Sequence, residues 1–111
     1  MSTKRLAPDT VRAVADRLKV LAEAARLSVL NELRSGPRNV SELIDATGLN
    51  QANLSKHLQL LHAHGFVARR REGLFVIYEL ADPSVFELCD IMCGQLKRRA
   101  EEQVVRLRAV R

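Results

Sequence analysis

Between Val40 and Leu80 the chain reads VSELIDATGLNQANLSKHLQLLHAHGFVARRREGLFVIYEL, and the punctuation of this stretch leaves few folds open. Ser41, Glu42 and Leu43 begin a short helical run that Gly48 closes, and Asn50 is a good N-cap for the next run. That next run carries Leu54, Leu58 and Leu61 at i, i+4 and i+7, a single apolar stripe, and ends at Gly65. Two β-prone segments follow, Val67–Arg71 and Leu74–Leu80, with Glu72-Gly73 between them as a hairpin break. The expected order of parts is therefore short helix, turn, second helix, hairpin.

The flanks add helices. Residues 1–8 read as a frayed leader, after which Asp9 or Thr10 caps a first helix with Val11, Val14, Leu18 and Leu21 at helical spacing. A second helix runs from about Glu23 to Arg34 with Leu27, Val29, Leu30 and Leu33 on its buried face, and Gly36-Pro37 stops it. Downstream, Asp82 as N-cap and Pro83 at the first helical position open a last helix reaching about Val110, roughly 40 Å at 1.5 Å per residue. Val85, Phe86, Leu88, Cys89, Met92, Cys93 and Leu96 give it a broad apolar stripe. A chain of 111 residues has little surface with which to cover so long a helix. Pairing with a second copy through the first and last helices is the simpler solution. The expected fold is mainly α with a small β-hairpin, one winged helix-turn-helix domain over 1–111. Its helix-turn-helix spans 40–64, its wing 66–80 and its C-terminal dimerisation helix 83–110.

Composition narrows the function classes. The aromatics are Phe66, Phe75, Tyr78 and Phe86 only, few stacking platforms for single-stranded nucleic acid. The formal net charge of +5 suits a polyanionic partner, and the run Arg69-Arg70-Arg71 counts for more than the total. No apolar run approaches the ~18 residues of a membrane span, and MSTKRLAPDT lacks the apolar stretch of a signal peptide. Two cysteines without a secretory signal point to a reducing compartment, so the expectation is a cytoplasmic protein with no membrane partner. There is no Gly-rich phosphate loop, zinc-protease signature or Ser–His–acid arrangement, and no enzyme is expected.

With the three leucines turned inward, the leading end of the helix after Asn50 exposes Gln51, Ala52, Asn53, Ser55, Lys56 and Gln59. Amide side chains pair in bidentate fashion with adenine edges, and Ala52 or Ser55 can sit against a thymine methyl. Arg69, Arg70 and Arg71 on a hairpin can contact phosphate or enter a minor groove. The candidate DNA-contact set is thus Asn50, Gln51, Ala52, Asn53, Ser55, Lys56, Gln59 and the three arginines, with double-stranded DNA as partner. The competing reading is a solvated helix face and a solubilising hairpin on a protein-interaction module that binds no DNA. His57, inside the same helix, packs or contacts phosphate; His62 and His64, at i and i+2, point to different sides and make a poor metal pair.

The segments LKVLAEAARLSVLNEL, VSELIDATGLNQANLSKHLQLLHAHGFV and RRREGLFVIYEL, with Asp82-Pro83 after them, resemble the ArsR/SmtB family of winged helix-turn-helix repressors over about residues 15–97. The resemblance implies a homodimer on an inverted repeat that releases operator DNA when an inducer binds. It maps the DNA-reading helix to about Asn50–His64 and the wing to about Arg69–Phe75. It also gives two metal sites to test. A Cys-x-Cys pair ahead of the reading helix falls here on Asn39 and Ser41, so that thiolate site is absent. A site across the last helices falls on Asp82, Ser84, Gln95 and Arg98, where one carboxylate survives and Arg98 repels a cation.

Cys89 and Cys93 remain, four residues apart and stacked on one helix face. Thiolates favour soft ions, so As(III), Sb(III), Cd, Pb or Cu(I) as an inducer is chemically sensible. Two thiols leave a three-coordinate site short of a ligand, which a second subunit or a small thiol would supply. No cofactor is expected for DNA binding itself. Two other readings stay open: a redox or reactive-sulfur thiol switch, and buried cysteines that only pack in a metal-independent regulator.

Overall fold

The structure is a computed structural model and describes residues 4–109, with side chains through 104. Its elements run α1 (Pro8–Leu21), α2 (Ala24–Leu33), β1 (Arg38–Asn39), α3 (Val40–Thr47), α4 (Gln51–Ala63), β2 (Val67–Glu72), β3 (Phe75–Leu80) and α5 (Val85–Ala109). The chain divides into two compact units, the first closing at Ala81 and the second opening at Asp82. The architecture is the expected winged helix-turn-helix, five helices and a small three-stranded antiparallel sheet among the described residues.

In the first unit the core gathers one stripe from each helix. Val29, Leu30 and Leu33 of α2, Leu43 of α3 and Leu54, Leu58 and Leu61 of α4 are almost wholly removed from solvent, and Phe66, Val67 and Tyr78 close the sheet side. Burying a leucine this completely stabilises the fold by roughly 1.5–3 kcal/mol, so these seven helix positions dominate its cohesion. Leu27, expected on the buried face of α2, is exposed instead. Val29, Leu30 and Leu33 set the centre of the buried side, and at 3.6 residues per turn Leu27 falls about 110° round the helix from it, at the solvent edge.

Helix ends follow the local chemistry. Pro8 takes the first position of α1, and Asp9 lies in the first turn rather than capping it. α3 starts one turn-residue earlier than Ser41 suggested. Asn39 accepts the Glu42 N–H at 2.8 Å while Glu42 Oε1 accepts the Asn39 N–H at 2.9 Å, a reciprocal capping box. Gly48 then takes a left-handed φ of 73° and ends the helix. Asn50 caps α4 as expected, its side-chain oxygen accepting the Asn53 N–H at 2.8 Å.

The sheet has the order β1-β3-β2, all antiparallel. The hairpin closes on the pair Glu72↔Phe75, so the two connecting residues are Gly73 and Leu74, not Glu72 and Gly73. Gly73 supplies the positive φ (63°) that a tight hairpin needs at its first connecting position. Leu74, expected to begin the strand, sits at the tip and is 95% exposed. β1 was not anticipated. Two residues carry no periodic signal, yet Arg38 and Asn39 pair with Tyr78 and Ile77 and run directly into α3.

In the second unit Asp82 Oδ1 accepts the Ser84 N–H at 2.9 Å, the capping bond expected of it. Backbone bonds from Val85, Phe86 and Glu87 to the carbonyls three residues earlier form a tight first turn, and regular α5 begins at Val85 rather than Pro83. Its 25 residues span about 37 Å. Val110, the expected end, lies outside the described residues. No described helix is long and apolar enough to cross a membrane.

Candidate nucleic-acid interface

The leading turns of α4 are held from behind and open in front. Leu54, Leu58 and Leu61 are at most 1% exposed, which fixes the helix's rotation about its own axis. Gln51, Ala52, Asn53, Lys56 and Gln59 consequently face outward, with Ser55 half-buried among them. Asn50 stands at the helix start with its side-chain oxygen committed to the Asn53 N–H, leaving only its amide nitrogen free to donate outward.

A cleft of ≈ 420 Å³ joins this face to the wing. Gln51 and Ser55 line it from α4, Ser41 and Ile44 from α3, and Leu74 and Phe75 from the hairpin tip. Sequence reasoning singled out neither Ser41 nor Leu74 for this place. Their meeting depends on β1, which ties the start of α3 to the middle of β3.

The three arginines divide between the wing's two faces. Strand alternation and register put Arg69 opposite Tyr78 and Arg71 opposite Val76 on one face. There they line a concavity of ≈ 400 Å³ with Tyr78 and Val76, whose rim Arg70 also reaches. Arg70, opposite Ile77, lies on the other face and is ion-paired with Glu79 at 3.2 Å and Glu72 at 3.5 Å. All three partners are two-fifths or more exposed, so each pair is worth at most about 1 kcal/mol and exchanges readily for another anion. No ion pair engages Lys56, Arg69 or Arg71 among the described residues.

His57 does not belong to this surface. Its ring lies between α4 and α2, with Nε2 3.6 Å from Glu23 Oε1 and Nδ1 3.4 Å from Arg26. The phosphate role considered for it fails because position 57 falls beside Leu54, Leu58 and Leu61 on the inward half of the helix. His64 ends the helix, its Nδ1 3.1 Å from the Leu60 carbonyl, and does not converge with His62.

Cys89 is half-buried and Cys93 exposed on α5, both as free thiols. Asp82, the surviving carboxylate of the second site to be tested, has one oxygen occupied by the Ser84 amide. That bond, reinforced by the Ser84 side chain, holds its carboxyl below the usual range. Among the described residues no three His, Cys, Asp or Glu side chains gather closely enough to hold a metal ion.

Known proteins share this arrangement. Residues 23–69 match the model of the bacterial regulatory protein, arsR family. The chain is 39% identical over 77 residues to the HTH-type transcriptional regulator NmtR of Mycobacterium tuberculosis, a match taking in 69% of this chain and 64% of that protein's length. It is 37% identical over 98 residues to the uncharacterized HTH-type transcriptional regulator Rv0081 of the same organism, covering 87% of this chain and 86% of the relative. The crystal structure of Rv0081 superposes with a TM-score of 0.78, covering 89% of this chain and 99% of that one. The homodimeric winged helix-turn-helix DNA-binding domain Mb0332 of Mycobacterium bovis, 31% identical, gives 0.69 over 92% of this chain and 95% of that one. An outward-facing helix on three buried leucines, a basic wing beside it and these likenesses agree: the chain belongs to the ArsR family of winged helix-turn-helix transcriptional regulators.

Proposed function

We propose that the chain is a sequence-specific repressor that binds an inverted-repeat operator as a homodimer and leaves it when an inducer binds. The outward amide face of α4, locked in rotation by Leu54, Leu58 and Leu61 and joined by a cleft to the tip of the basic wing, carries this reading. Gln51, Asn53 and Gln59 offer amide forks to base edges, and Ala52 and Ser55 offer small surfaces to thymine methyls. Lys56, Arg69, Arg70 and Arg71 neutralise phosphates, and the amide of Asn50 donates to the backbone. Two such helices related by a two-fold axis meet half-sites about 34 Å apart, one helical turn of duplex. Repression follows from occupying the promoter.

The test is a mobility shift with the DNA upstream of the chain's own gene, at several salt concentrations, followed by footprinting. Tight, selective binding that weakens steeply with salt supports the repressor. Equal and feeble binding to every duplex returns the chain to the class of protein-interaction modules.

For the inducer, the thiol pair on α5 is the best candidate receptor. Cys93 is exposed and Cys89 half-buried, so both sulfurs are accessible to a soft ion such as As(III), Sb(III), Cd or Pb. One chain supplies two sulfurs, and the second copy or a small thiol completes the coordination. Reduced protein is expected to bind As(III) and release DNA, and Cys89→Ser with Cys93→Ser abolishes the response. Release driven by oxidant but not by soft ions identifies a redox switch; wild-type response in the double variant removes the cysteines from sensing.

A further inference from the structure

Arg26 makes an unusual number of contacts for one side chain. It is only 13% exposed. Its Nε donates to the Val20 carbonyl and one terminal nitrogen reaches the Lys19 carbonyl at 3.4 Å, both in the last turn of α1. The other terminal nitrogen lies 2.7 Å from Glu23 Oε2 and 3.4 Å from His57 Nδ1 on α4. One planar fork therefore ties the end of α1, the start of α2 and the inner face of α4 together. A second tie stands apart from it. Arg17 of α1 donates to the His64 carbonyl at 2.8 Å, and its guanidinium lies 4.4 Å from the centre of the Phe66 ring. His57 and His64 are seven residues apart, about 10 Å along α4. Two attachment points at that separation set the direction of a helix, whereas one would set only its position.

α1 meanwhile exposes Val11, Val14 and Leu18 along one face, at i, i+3 and i+7. We propose that Arg26, seconded by Arg17, is the positioning link through which the setting of α1 in the dimer fixes the aim of α4. This rests on the reading of α4 as the DNA-contacting helix and α1 as a subunit-pairing one. Neither arginine touches DNA. In each copy they hold that copy's own α4 at the angle that lets both readers engage one operator.

The experiment compares wild type, Arg26→Met, Arg26→Lys and Arg17→Met on the footprinted upstream segment and on a duplex carrying half of it, at several salt concentrations. All three variants are expected to lose about tenfold or more on the whole segment and under about threefold on the half. On the half segment the salt slope stays as in wild type, and so does the helical circular dichroism. Arg26→Lys fails with Arg26→Met because one ammonium does not span the α1 carbonyls, Glu23 and His57 together. If Arg26→Met does not fold, Arg26→Lys and Arg17→Met carry the comparison. Equal losses on whole and half segments, unchanged affinity, or a salt slope lower by about one on the half segment, the mark of a direct phosphate contact, each overturn the proposal. Wild type that treats the upstream segment as it treats any duplex overturns the DNA reading beneath it, and is told apart because no variant is then needed to see it.

Discussion

The side chains at the front of α4 and on the wing differ in what they can say to a duplex. Gln51 presents both a donor and an acceptor from an exposed position, the pattern that distinguishes one base edge from another. Lys56 presents only a charge. Gln51→Ala is therefore expected to cost about 1–3 kcal/mol on the preferred operator and to relax preference at one base position. Lys56→Ala and Arg71→Ala should weaken every duplex alike and lower the salt slope by about one each. Arg70→Ala should do less, because in the free protein that guanidinium is shared between Glu79 and Glu72 and must leave them to meet phosphate. Anisotropy titrations on the operator and its single-base variants, across about 50–200 mM salt, separate these effects. Unchanged selectivity in Gln51→Ala would take that residue out of the readout.

Two junctions between elements have consequences that can be measured. Asn39 is at once the last residue of β1 and the N-cap of α3, so its side chain joins sheet to helix. Asn39→Ala removes one arm of the capping box and is expected to cost about 0.5–2 kcal/mol in urea unfolding, with faster exchange of the Glu42 amide. At the start of α5 the Ser84 amide depresses the Asp82 pKa. The charged form is the one favoured in the folded chain, so the cap is at full strength above the ordinary carboxylate value of about 3.9. It is lost as pH falls through the lower folded value. The Ser84 amide resonance should follow that titration, and Asp82→Asn should flatten it. Much of this element pattern was legible beforehand. Leu54, Leu58 and Leu61 announce α4 and its outward face, and Gly48, Asn50, Gly73 and Asp82 mark where turns and caps must fall. What escaped depended on register or on contacts distant in sequence. A two-residue β1 has no period, Arg70's partners appear only once β2 is aligned on β3, and Arg26 looks like any surface cation until α1, α2 and α4 are packed around it.

Val11, Val14 and Leu18 form one exposed face of α1, and Leu88, Ile91, Met92 and Leu96 one exposed face of α5. Apolar side chains aligned over several helical turns are characteristic of surfaces that another protein covers, and specific interfaces bury on the order of 1,200–2,000 Å² in all. A charge placed in such a face must be stripped of water when the face is covered and finds no partner there, which opposes association far more than it disturbs a face already in solvent. Leu18→Glu and Met92→Glu are each expected to leave helix content intact by circular dichroism and to shift sedimentation from dimer to monomer. Operator binding should fall with the loss of the second half-site. Two linked readers gain about 10²–10⁴ over one, and a monomer forfeits that factor while keeping every residue of α4 and the wing. The informative comparison is the half-segment duplex, on which monomer and wild type should bind alike, since each offers it a single helix. A Leu18→Glu protein that stays dimeric and grips the whole operator as before would show that α1 pairs with nothing. The aim of α4 would then have to be set within one chain.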